Sequence, residues 1–173
     1  MILFLMGYMA SGKTTIGKIL SKKLGYQFID LDDYIVDKEG KTVNDIFKSK
    51  GEIYFRKTEF FYLNKIIENN ENLVLSLGGG TPCYGTNMKL LLETYNTKTI
   101  YLKASIKELS NRLIKGKSKR PLISHIESDK LLTEFVGKHL FERSQYYSQA
   151  NLTISTDCKT EEEIIETIIL NLF

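Results

Sequence analysis

The chain has 173 residues, 42% of them hydrophobic and 26% charged, which is the composition of an ordinary globular domain. The net charge of +3 is too small to indicate nucleic-acid binding by itself. Cys83 and Cys158 have no metal-binding spacing, which argues against a zinc site and favours a cytoplasmic protein without disulfides. The apolar N-terminus is shorter than the roughly 20 residues that span a bilayer, so we expect no membrane partner.

Predicted strands and helices alternate along the chain. Ile2 to Met6 is a continuous apolar run of buried-strand length, and an amphipathic helical pattern follows it up to Gly25. Further strands are predicted at QFID, LVLSL, TKTIYLK and NLTIST. Helices are predicted at TVNDIF, EIYFRKTEFFYLNKII, MKLLLETY, SIKELSNRLI, Glu127 to Gln149 and TEEEIIETIILNLF. The pattern predicts a three-layer α/β/α domain with a central five-stranded parallel sheet.

One domain covering residues 1–173 accounts for the whole pattern, because no repeat or low-complexity linker divides it. Two segments interrupt the alternation and are predicted to be insertions: residues 31–62 after the second strand, and residues 112–125. The second contains the basic run KGKSKR, which is compatible with a solvated loop, a nucleic-acid patch or a lid that closes on a nucleotide. We favour the lid because the basic run precedes RPL at residues 120–122.

The segment GYMASGKT, from Gly7 to Thr14, matches G-x-x-x-x-G-K-[ST] between a predicted strand and a predicted helix. Glycines let successive backbone amides surround phosphate oxygens, and the helix N-terminus adds partial positive charge. Lys13 can reach the β- and γ-phosphates, and the Thr14 hydroxyl can bind Mg²⁺. The segment therefore predicts binding of a nucleoside triphosphate.

A second group of residues points to an acceptor. Asp30 ends the second predicted strand and can supply the carboxylate for magnesium that Ser76 cannot, while Asp32 and Asp33 follow it. The i, i+2 spacing of an extended chain would put Asp32 on the side of Asp30, facing an acceptor hydroxyl. A solvated acidic turn that caps the next helix is the alternative.

Two arginines and a run of glycines complete this group. Arg56 and Arg143 are each unremarkable alone, but together they offer forked donors that suit a carboxylate. The glycines at 78–80 allow close approach of the backbone to polar groups.

The sequence resembles the shikimate kinases, relatives of the nucleoside monophosphate kinases with a P-loop. The resemblance covers nearly the whole chain and rests on GYMASGKTTIGKIL, FIDLDDYI, GKTVNDIF, GEIYFRKTE, LSLGGG, RPL, and ER with a following tyrosine. It implies transfer of the γ-phosphate of ATP to the 3-hydroxyl of shikimate, a step of aromatic amino-acid biosynthesis.

The resemblance also implies roles for individual residues. Asp32 would engage the acceptor hydroxyl, and Arg120, on the lid, would contact the transferring phosphate. Asp30 would join Mg²⁺ through its water shell, and Thr14 would bind it directly. The residues expected to bind ATP are Gly7, Ala10, Ser11, Gly12, Lys13, Thr14, Thr15, Arg112 and Arg120. Those expected to bind shikimate are Asp32, Arg56, Gly78, Gly79, Gly80 and Arg143.

Some alternatives remain at this point. Ala10 stands where the family often has glycine, which is tolerable if its φ is negative, and Asp33 competes with Asp32 for the acceptor role. A kinase for another hydroxy acid, such as a gluconate kinase, and a nucleotide-gated binding module that transfers nothing are rival functions. We expect only small-molecule partners, ATP and the acceptor, and a monomer.

Overall fold

Five parallel strands form one sheet at the centre of the molecule. The computed structural model of the chain describes residues 1–116, 123, 126 and 128–172. Within them the strands lie in the order β2-β3-β1-β4-β5, and every neighbouring pair is parallel. Their bounds are β1 Ile2–Met6, β2 Gln27–Asp30, β3 Leu73–Ser76, β4 Thr97–Lys103 and β5 Leu152–Ser155. The predicted five-stranded parallel sheet is confirmed.

Helices cover both faces of this sheet. They are α1 Lys13–Leu24, α2 Leu31–Glu39, α3 Val43–Asn69, α4 Asn87–Glu93, α5 Ile106–Lys115, α6 Asp129–Tyr147 and α7 Glu161–Leu172. Apolar residues of α1 and α7 pack on one face, and those of α2 to α6 pack on the other. The three-layer prediction is therefore confirmed, although α2 was not predicted as a helix. None of the described helices is long and apolar enough to cross a membrane.

The order of the strands brings three loops to one edge of the sheet. β1 lies in the middle of the sheet. β3 and then β2 lie on one side of it, and β4 and then β5 lie on the other. Leu5 of β1 and Asp30 of β2 both stand in register with Ser76 of β3. The loops that follow β1, β2 and β3 therefore meet at the carboxyl edge, where open α/β sheets bind ligands.

The segment between β2 and β3 contains a bent helix. α3 is interrupted at Gly51, whose φ of 81° and ψ of 171° are not helical. Glu39, at the end of α2, joins the two parts: it accepts hydrogen bonds from Lys50 before the bend and from Tyr54 and Tyr62 after it. This cluster fixes the angle at which the first part of α3 lies over the sheet edge.

We predict that Gly17→Ala destabilises the fold. A Cβ atom on Gly17 would lie 2.4 Å from the Phe28 ring and 3.1 Å from Leu5, so α1 would have to move away from the sheet. The free energy of unfolding should fall by about 1–3 kcal/mol, measured by denaturant titration.

Gly137→Ala in α6 is the matched control. Its Cβ would meet only Ile106, at an ordinary 3.6 Å, so the helix-forming preference of alanine should raise stability by up to about 1 kcal/mol. Equal effects of the two substitutions would contradict the packing argument.

Candidate active site

The loop between β1 and α1 is shaped to hold an anion. A Cβ on Gly7 would lie 2.6 Å from the backbone oxygen of Leu102, so the chain passes too close to β4 for any side chain there. The Lys13 ammonium donates to the backbone oxygens of Gly7 and Tyr8, at 2.9 and 3.0 Å. The loop therefore curls around the lysine, directly before the N-terminus of α1.

Ala10 adopts a left-handed conformation in this loop. We expected alanine to be tolerated here if its φ were negative. Its φ is +65°, so this condition is not met. A left-handed alanine costs about 1–2 kcal/mol relative to glycine. The Ala10 carbonyl accepts a hydrogen bond from Arg112 at 3.1 Å, which helps to hold this conformation.

A cavity of about 520 Å³ opens on the outer side of the loop. The structure places most of the residues predicted to bind ATP along its wall: Ala10, Ser11, Gly12, Lys13, Thr14, Thr15 and Arg112. Gly7 packs against the backbone of Leu102 and does not line this cavity. Arg112 also donates to Glu108 at 2.7 Å, so its guanidinium is held from two sides. Arg120, and the predicted lid from residue 117 to residue 125 except Ile123, lie outside the described residues.

Besides Ile16 of α1, four residues that sequence reasoning did not single out line this cavity. They follow β5 or begin α7: Thr156, Lys159, Glu161 and Ile164. The available signal was the predicted last strand, since its carboxyl end must lie at the same sheet edge as that of β1.

A second cavity, of about 420 Å³, lies on the other side of the same loop. It collects all the residues predicted to bind the acceptor: Asp32, Arg56, Gly78, Gly79, Gly80 and Arg143. Ala10, Lys13 and Thr14 line both cavities. The two cavities therefore adjoin at the phosphate loop.

Thr14 and Asp30 meet at this junction. The Thr14 hydroxyl donates to Asp30 Oδ2 at 2.8 Å, and Asp30 Oδ1 accepts from the backbone N–H of Asp32 at 3.1 Å. Among the described residues no group of three or more His, Cys, Asp or Glu side chains could hold a metal ion. A pair of oxygen ligands nevertheless fits Mg²⁺, which keeps several waters and takes further oxygens from phosphates.

Asp32 reaches the cavity from a helix and not from an extended chain. Asp30 caps α2, so Asp32 lies in its first turn, and the i, i+2 argument from strand geometry was wrong. Asp32 nevertheless faces the second cavity, whereas Asp33 is exposed and does not line it. Burial, with added repulsion from Asp30 and Glu59, raises the pKa of Asp32 to about 6, although Lys13 and Arg56 oppose this.

A buried carboxylate that sequence reasoning missed holds Arg56. Glu59 is only 1% exposed, and it accepts from Arg56 Nη1 at 3.0 Å and from the Thr81 hydroxyl at 2.7 Å. Its helical phase with Phe55 and Leu63 was visible in the sequence, and a charged residue at a core position was the available signal.

Arg143 lies in α6, far along the chain from Asp32 and Arg56, and lines the second cavity with them. Its guanidinium lies 5.4 Å from the centre of the Tyr8 ring. Tyr147, one turn later in α6, donates to the backbone oxygen of Gly79. This hydrogen bond ties the helix that carries Arg143 to the glycine run.

We predict that Asp32→Asn stabilises the folded protein in a pH-dependent way. The folded pKa of about 6 lies above the usual value, so Asp32 favours folding below pH ~4 and loses that contribution as the pH rises through ~6. Asparagine has no charge to bury. The variant should therefore exceed the parent by on the order of 2 kcal/mol at pH 7–8 and by little near pH 4, measured by denaturant titration.

Asp33→Asn is the matched control, because Asp33 is adjacent and exposed. A pH-dependent gain of the same size in both variants would show that Asp32 is not the source.

Comparisons with known proteins show which family the chain belongs to. The family model described as "Shikimate kinase" matches residues 9–173. The shikimate kinase of Flavobacterium psychrophilum is 48% identical over 98% of this chain and 97% of its own length. That of Bacteroides thetaiotaomicron has a solved structure with a TM-score of 0.91 and 36% identity, covering 99% of this chain and 97% of that chain.

Two further solved structures separate family from fold. Shikimate kinase from Acinetobacter baumannii, in complex with shikimate, gives a TM-score of 0.86 at 30% identity over 99% of this chain and 92% of that chain. A gluconokinase from Sinorhizobium meliloti gives 0.54 at 16% identity over 98% and 90%, which shows a shared fold alone. On the strength of the full-length matches, this chain belongs to the shikimate kinase family.

Proposed function

We propose that the protein transfers the γ-phosphate of ATP to the 3-hydroxyl of shikimate, giving shikimate 3-phosphate and ADP. As a member of its family it is an ATP-dependent kinase. One observation carries the assignment of the acceptor: the second cavity combines a carboxylate and two guanidiniums with the lysine of the phosphate loop. A carboxylated ring that bears hydroxyls fits this set of charges.

The first cavity would hold ATP. Backbone amides at the start of α1 would surround the β- and γ-phosphates, and Lys13 would exchange its backbone acceptors for phosphate oxygens. Arg112 stands on the outer wall, where it would pack against the base. Arg120 remains a predicted contact of the transferring phosphate.

Thr14 and Asp30 would hold Mg²⁺, Thr14 directly and Asp30 through water. When bound, the ion supplies positive charge that offsets the negative charge on the phosphates. The Thr14 hydroxyl donates to Asp30, which keeps the two oxygens adjacent.

The acceptor would bind with its carboxylate between Arg56 and Arg143 and its reacting hydroxyl near Asp32. Asp32 is ionised above pH ~6, since its pKa is raised only to about 6, so it can accept a hydrogen bond from that hydroxyl at neutral pH. Asp32 would then take up the proton of this hydroxyl as its oxygen attacks the γ-phosphate. Alignment of the two substrates and charge neutralisation by Lys13 would supply most of the acceleration.

Following ADP formation from MgATP with a panel of hydroxylated carboxylic acids tests this proposal. Shikimate should give rapid ADP release, and gluconate should give little, because the two arginines and the glycine wall suit a compact ring. Preference for gluconate would favour the rival kinase, and ATP binding without turnover on any acid would favour a binding module.

We predict that Asp32→Asn nearly abolishes turnover while ATP still binds. Asparagine keeps the shape but cannot take a proton, so kcat should fall about 10²–10⁴-fold. The affinity for ATP, measured by calorimetry, should change less than about threefold, a difference of under ~0.7 kcal/mol. Asp33→Asn is again the control and should retain turnover; near-normal turnover in Asp32→Asn would remove its assigned role.

A further inference from the structure

The ring of Tyr84 covers the guanidinium of Arg56. The Cζ atom of Arg56 lies 3.8 Å from the centre of that ring, which is contact distance for a cation–π pair. The rings of Phe55 and Phe47 are farther away, at 5.2 and 5.8 Å. The nearest aromatic contact of this arginine therefore comes from the segment after the glycine run, and not from its own helix.

A hydrogen bond holds the Tyr84 ring in this position. Its hydroxyl donates to Glu52 Oε1 at 2.6 Å, and the same oxygen lies 3.5 Å from Arg56 Nε. Within the described part of the chain Arg56 Nε is buried and has no hydrogen-bond partner, so Glu52 contributes charge but no directed bond. Glu59 fixes one end of the guanidinium, and Tyr84 with Glu52 limits its movement on the other side.

The backbone that carries Tyr84 is braced independently of Arg56. Asn87 donates through its buried side chain to the Thr81 oxygen at 2.8 Å and through its backbone to the Tyr84 oxygen at 3.2 Å. Thr81 is the residue whose hydroxyl also holds Glu59. One short turn, Thr81–Cys83, thus supports two contacts of Arg56 at once.

Tyr84 stands between Arg56 and the outside of the molecule. Arg56, Glu52 and Tyr84 line two further cavities, of about 550 and 510 Å³, outside the acceptor cavity. The second of these also contains Arg143. Without the ring, more of the guanidinium of Arg56 would be open to water in these cavities, and it could turn toward them.

We infer that Tyr84 is a positioning residue for Arg56, which it holds in the orientation that receives the carboxylate of the acceptor. The inference rests on the proposed function. Glu52 assists by fixing the Tyr84 hydroxyl. The aromatic ring is the main part of this contact, because its centre lies 3.8 Å from the Cζ atom of Arg56.

Steady-state kinetics of Tyr84→Leu and Tyr84→Phe test the inference. Tyr84→Leu keeps apolar volume but removes the π-face, so KM for shikimate should rise about tenfold, the effect of losing a partly desolvated cation–π contact. KM for ATP and kcat should stay within about twofold, because Tyr84 touches neither the nucleotide nor the phosphate loop. Tyr84→Phe keeps the ring and should recover most of the affinity. The matched control is Tyr95→Leu, since Tyr95 is 95% exposed and lies on another part of the surface.

A neutral ester of shikimate separates positioning from general loop stability. The ester lacks the carboxylate, so kcat/KM for it should be nearly the same in Tyr84→Leu and the parent. Equal losses for acid and ester, an unchanged KM for shikimate in Tyr84→Leu, or parallel losses of kcat and ATP affinity would each overturn the inference. Absence of shikimate phosphorylation in the parent protein would instead refute the proposed function.

Discussion

Gly78 and Gly80 leave no room for a side chain, and the shape of the second cavity depends on this. A Cβ on Gly78 would lie 2.9 Å from the Asp32 carboxylate, and one on Gly80 would lie 2.8 Å from the Arg56 guanidinium. A Cβ on Gly79 would meet Arg143 at 3.6 Å. Two carboxylates, those of Asp32 and Glu59, and two cations thus approach a single stretch of backbone from three different helices. Any larger residue at the first or last position would displace the group that faces it.

The charges around this backbone are arranged to keep Arg56 partly buried and cationic. Burying a charge is costly unless it is paired and hydrogen-bonded, and Glu59, itself 1% exposed, provides the partner. Thr81 satisfies the second oxygen of Glu59, so the pair leaves no carboxylate oxygen without a donor. The pair is held in place because both of its members belong to α3, while Thr81, in the turn after the glycines, binds Glu59. An arginine held in this way can receive an anion without first having to be ordered.

The sequence predicted a feature correctly where the pattern that indicates it lies within one short segment. The phosphate loop, the strand alternation and the glycine run each lie within a short segment, and the fold followed from them. Helix α2 was missed because Asp30 was assigned to the end of a strand and not recognised as the cap of a helix, and the same error gave Asp32 an extended geometry. Contacts between distant segments were out of reach: Glu59 meets Thr81 across 22 positions, and Arg56 meets Tyr84 only through the fold. No pattern within a single segment reports such pairs.

The strained residue of the phosphate loop lies where the two cavities meet. Ala10, Lys13 and Thr14 line both of them, so a phosphoryl group that passes from one to the other must cross at this loop. Ala10 keeps its left-handed φ although a glycine would adopt it without cost, and Arg112, from α5, holds its carbonyl. Strain of this kind persists only where the surroundings determine the backbone. The hydrogen bond from Arg112 therefore links the wall of the first cavity to the conformation of the loop, and through that loop to the cavity that contains Asp32.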